Sequence, residues 1–162
     1  MRVSYAFKVG LLFCLLPLNA GTALAQAAVV QGTEFDVLMS DGQGNVQTVK
    51  SNVVPLIPGT VCYGWRIRLG GGDKLLKITE IFALPAAPKI WSGEGDQFSP
   101  SKITKDRRTS VTTQFFPMHD GWFGHPWCVA PGDPVGAYTI EVYLGQQLLH
   151  EFDFTVEKVP GQ

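Results

Sequence analysis

The chain has 162 residues, with 13 lysines and arginines against 14 aspartates and glutamates and a formal net charge of −1. That balance excludes the dominant positive field rewarded by nucleic acids or anionic membrane surfaces. The 18 glycines and 11 prolines break the chain too often for amphipathic helices of ordinary length, which leaves short strands.

Arg2 and Lys8 flank the start of an apolar run from Val9 to Leu18, and Ala23-Leu24-Ala25 follows before Gln26. This is the layout of a secretory signal peptide with small residues at the cleavage positions, read as residues 1–25 and cut after Ala25. Pro17 and the shortness of the run argue against a retained anchor, since a spanning helix needs about 20 mostly apolar residues. Residues 26–162 are then a single domain, periplasmic or secreted, with no integral membrane segment after cleavage. Cys14 leaves with the leader, and the remaining Cys62 and Cys128 read as one disulfide in an oxidising compartment.

Thr33 to Met39 alternates with Phe35, Val37 and Met39 on one face, and Asp41-Gly42-Gln43-Gly44-Asn45 turns the chain toward Val46–Val49, a hairpin signal. Val61 to Leu69 puts Val61, Tyr63, Trp65, Ile67 and Leu69 on one face, with Cys62, Gly64, Arg66 and Arg68 on the other. Lys74 to Leu84 is a further strand, ended by Pro85 and Pro88. Lys89 to Lys105 is the longest loop-like stretch, and Arg108 to Phe116 returns to strand character. Ala137 to Leu144 and Leu148 to Val156 form a terminal pair around Gly145, with Leu148, His150, Phe152, Phe154 and Val156 facing the core. About seven strands at hairpin spacing make an all-β, antiparallel immunoglobulin-like β-sandwich.

The run from Trp127 to Val142, a glycine turn, and Phe152-Asp153-Phe154-Thr155-Val156 resemble the closing strands of exported bacterial immunoglobulin-like domains. Together with Tyr63-Gly64-Trp65, they resemble one uncharacterised family of such domains. The resemblance implies a fold and brings no catalytic residues with it.

Met118 to Cys128, MHDGWFGHPWC, gathers histidines, an aspartate, a cysteine and tryptophans. A zinc site there lacks ligands at fixed spacing once Cys128 is bridged, and two histidines make a poor closed site. Asp120-Gly121 reads instead as a turn, with His125-Pro126 leading into a strand at Trp127. Cys62 and Cys128 both fall opposite core-facing neighbours, which places their bridge between adjacent strands or at the sandwich edge, unlike the core-crossing bridge of antibody domains. No nucleophile motif is present. Glu94 and Asp96 offer an acid–base pair, yet loops also carry such charge to stay solvated. His150 reads as a core or edge histidine, and Lys102, Lys105, Arg107 and Arg108 as a hairpin rim.

The leading expectation is a non-catalytic exported binding module without a cofactor, contacting a protein or envelope glycan. Its aromatic anchors are Trp91, Trp122 and Phe123, at a loop end formed by residues 91–98 and 119–123. The alternatives are a small metal-binding protein using His119 and His125, and a small hydrolase around Glu94 and Asp96. Elemental analysis after mild dialysis is expected to find neither zinc nor copper. Near-stoichiometric metal that disappears in a His119→Ala, His125→Ala double variant contradicts that expectation.

Overall fold

The computed structural model describes residues 27–92 and 94–160; the signal peptide expected over residues 1–25 lies outside the described residues. The breakers leave strands, as their spacing demands: β1 (Val30–Ser40), β2 (Val46–Lys50), β3 (Val53–Pro55), β4 (Val61–Leu69) and β5 (Leu75–Ala83) come first. β6 (Ser101–Ile103), β7 (Thr109–Pro117), β8 (Trp122–Cys128), β9 (Gly136–Leu144) and β10 (Gln147–Glu157) follow. They form two sheets, one of four strands in the order β2-β1-β4-β8 and one of six in the order β3-β10-β9-β5-β7-β6. Pairing is antiparallel except between β3 and β10. The architecture is an all-β sandwich.

Alternation in each strand decides what faces inward. Val61, Tyr63, Trp65, Ile67 and Leu69 of β4 are buried against Leu76, Ile78 and Phe82 of β5, Tyr138, Ile140 and Val142 of β9, and Phe152, Phe154 and Val156 of β10. Each such side chain contributes about 1.5–3 kcal/mol on burial. A polar device holds the corner before β9: the Tyr138 hydroxyl donates to the Pro134 carbonyl at 2.7 Å. Tyr138 is buried, and burial pushes its phenol well above the ordinary tyrosine range. This matches the tyrosine corner of immunoglobulin-like sandwiches, in which the phenol ties a strand's entry loop back to itself.

The disulfide lies where strand parity put it. Cys62 and Cys128 are directly opposite each other on the adjacent strands β4 and β8. Their neighbours Val61, Tyr63 and Val129 point into the core, so the bridge lies on the outer surface of the four-stranded sheet.

Three features depart from the sequence expectation. Among the described residues there are ten strands rather than about seven, because β3 and β6 are three-residue edge pieces too short to show a period; β8 also begins at Trp122 rather than Trp127. Asp120-Gly121 does turn the chain, as a tight pair with φ of 52° and 80°, but strand follows at once. In β10 a register shift between Leu148 and His150 inserts one extra residue, which turns Leu149 inward and leaves Leu148 46% exposed. The outward Leu148 corrects the expected core face, while Phe152, Phe154 and Val156 keep the expected orientation.

The bulge sets the expected ranking of two neighbouring leucines. Leu149→Ala should lower stability by about 2–4 kcal/mol and Leu148→Ala by about 0.5 kcal/mol or less, as read by urea denaturation. The reverse order would mean that the bulge is absent in solution.

Candidate functional site

β8 is built from residues that seldom share a strand. His119 and Trp122 exchange two backbone hydrogen bonds of 2.9 Å across Asp120-Gly121, and both central residues have positive φ, as a two-residue hairpin turn requires. The turn carries the chain from the six-stranded sheet to the edge of the four-stranded one. Gly124 has no room for a side chain, since a Cβ there would collide with the Trp65 carbonyl and Arg66. Pro126 withdraws one N–H from the strand, which is tolerated because, among the described residues, β8 is an edge strand beside β4.

On the outer surface, Trp122 opposes Arg68 in register, and its indole reaches across β4 to Gly32 of β1, where a Cβ would stand 3.3 Å from the ring. The Arg66 guanidinium lies 5.5 Å from the indole centroid. Arg66 pairs with Glu34 and, at 3.5 Å, with Asp36, while Lys50 pairs with Glu34 at 2.9 Å. Bonds from Lys50 and Arg66 hold the Glu34 carboxyl below the usual range. This surface continues around the β8 edge into an open cleft of about 760 Å³, lined by Trp122, Arg66, Asp36, His119, Phe116 and His125 among others.

The structure corrects the expected loop-end anchors. Trp91 and Phe123 are 5% and 3% exposed. Trp91 folds back under its loop, donates from Nε1 to the Arg107 carbonyl at 2.8 Å and meets Phe82 edge-on. Phe123 packs edge-on against Trp65. Both are core residues, so neither is a contact anchor. Trp122 remains half-buried but lies on a sheet face rather than at a loop tip.

The other candidates also resolve locally. His119 shares the outward side of Trp122 through their bridge, whereas His125 alternates to the inward side, and among the described residues no cluster of three or more His, Cys, Asp or Glu side chains can hold a metal ion. Glu94 is held by Arg107 at 2.7 and 3.0 Å, which lowers its carboxyl below the ordinary range. Asp96 accepts from the Phe98 amide in a turn. His150 packs edge-on to Phe152 at 4.5 Å. Lys105, Arg107 and Arg108 rim the β6–β7 hairpin, and Asp41 closes its turn by accepting from Gln43 and Asn45.

Sequence reasoning missed Glu80. It occupies an inward position of β5, between Ile78 and Phe82, and is 1% exposed. The Trp65 Nε1–H donates to Oε2, and Trp127 Nε1 lies 3.5 Å from the same oxygen. Indole nitrogens only donate, so Oε2 accepts. His125 Nδ1 stands 3.3 and 3.2 Å from Oε1 and Oε2 and completes the ring of polar partners. Its Nε2 has no partner among the described residues, where no buried side-chain polar atom is unpaired, so Nε2 faces the cleft. The signal was available: a carboxylate at a core position in an otherwise apolar alternation requires donors from the facing sheet. Glu80→Ala is expected to cost about 3–5 kcal/mol in chemical denaturation, and Glu80→Gln, which keeps an acceptor for Trp65, clearly less. Equal losses would deny Oε2 its role.

Comparison with curated proteins finds no match. Among solved structures, an immunoglobulin-like protein from Pseudomonas aeruginosa shares the fold, with a TM-score of 0.51 and 19% identity over 82% of this chain and 98% of that one. The model of a sequence family described as the PM0630 beta sandwich domain matches residues 33–157. That match spans both sheets from β1 to the end of β10, and the chain therefore belongs to the PM0630 beta sandwich domain family.

Proposed function

We propose that the protein is an exported, non-catalytic binding module that contacts a protein or cell-envelope component through the outer face and cleft around Trp122. The observation that carries this reading is the placement of Trp122. It is a large aromatic laid across a sheet surface on a glycine, flanked by Arg66 and open to the cleft, outside the core that Trp65, Trp91 and Phe123 fill. Large, rigid aromatics beside arginine are favoured anchors in recognition surfaces. Export is supported by the leader-like segment of residues 1–25 and by the Cys62–Cys128 bond, a kind of bond that persists in oxidising compartments. Periplasmic residence and full secretion are both compatible with that reading.

The surface makes a separable forecast. Capture of partners from the organism's own envelope fraction should be lost with Trp122→Ala and weakened with Arg66→Ala. Stability should fall by only about 1 kcal/mol, since neither side chain belongs to the core. Undiminished capture by Trp122→Ala at wild-type melting temperature would reject this surface.

A further inference from the structure

We propose that the Cys62–Cys128 bond is a thiol-exchange site, opened by a Cys-x-x-Cys dithiol reductant that attacks Cys128, and that opening it loosens the end of β8 without unfolding the sandwich. The bond joins neighbouring strands on the outside of one sheet, with Cys128 exposed and Cys62 half-buried. Its outward neighbours on β4 and β8 are Gly64, which has no side chain, and the exposed Pro126, while Leu38 of β1 stands beside Cys62, so Cys128 is the more open of the two. Exposed disulfides are the labile class, whereas one crossing a packed core is reached only on unfolding.

Sulfur chemistry and register determine the direction. The reductant's thiolate attacks the more exposed Cys128 Sγ; the S–S bond breaks, and its electron pair leaves on Cys62 Sγ, which takes a proton. The mixed disulfide at Cys128 is then resolved when the reductant's second thiolate attacks its own bridged sulfur and expels the Cys128 thiolate, which is protonated in turn. Two electrons and two protons pass from the dithiol, which becomes a disulfide. Cys128 is the last residue of β8, which among the described residues is an edge strand paired with β4 alone, so the bridge clamps the end of an edge strand. The same segment carries Trp127 and His125 against Glu80, which links the bond to the cleft wall.

The test uses the oxidised full-length protein in native buffer and a thioredoxin-type dithiol protein whose second active-site cysteine is replaced by serine. Peptide mass mapping should find the trapped adduct on Cys128. After full reduction, hydrogen exchange of the His125 and Trp127 amides should rise about tenfold or more, while β9 and β10 amides stay within about twofold. A Cys62→Ser, Cys128→Ser double variant should reproduce that local pattern. The proposal is overturned by an adduct on Cys62, by a bond that yields only in denaturant, by exchange that does not change or rises throughout the molecule, or by a double variant that fails to fold.

Discussion

A carboxyl group sealed between two sheets destabilises its surroundings unless polar partners meet it, and Glu80 is met by the Trp65 and Trp127 indoles and the His125 imidazole. Glu80 belongs to the six-stranded sheet, while all three partners stand on β4 and β8 of the four-stranded one. The cluster therefore ties sheet to sheet with directional bonds in the midst of apolar contacts that have no such direction. It fixes which face of β8 turns inward, and hence that Trp122, Gly124 and Pro126 turn outward. The candidate contact surface is a consequence of a polar constraint in the core.

This arrangement divides labour differently from an antibody domain, where a covalent bridge crosses the core beside a tryptophan. Here the tryptophan is present as Trp65, 0% exposed, but hydrogen bonds supply the cross-sheet tie, and the covalent bridge staples two strands of the same sheet from outside. Such a staple keeps the disulfide out of the core.

What the sequence revealed depended on how long each period runs. Nine-residue strands such as β4 and β9 repeat their alternation often enough to fix both strand and face, and strand parity put Cys62 and Cys128 on the outer side while leaving open whether neighbouring strands or the sandwich edge held them. A one-residue bulge has no compositional mark, so Leu148 and Leu149 could not be ordered by pattern. β8 was obscured by its own Gly124 and Pro126, which read as breakers and are tolerated only because the strand lies at an edge. Trp91 and Phe123 looked like loop aromatics because nothing local shows that a loop folds back over the core. Glu80 was legible in position but not in meaning, since its donors come from residues 15, 45 and 47 positions away.

The last strand has a bearing on how the chain reaches this state. β10 supplies Leu149, Phe152, Phe154 and Val156 to the interior and is the neighbour of β3, a segment about a hundred positions earlier. A polypeptide emerging amino end first thus carries β3 without its partner, and an aromatic floor without its cover, until β10 has been made. Closure of the sandwich waits for β10, and every intermediate that lacks it presents sticky, half-built sheets of the kind that chaperones shield.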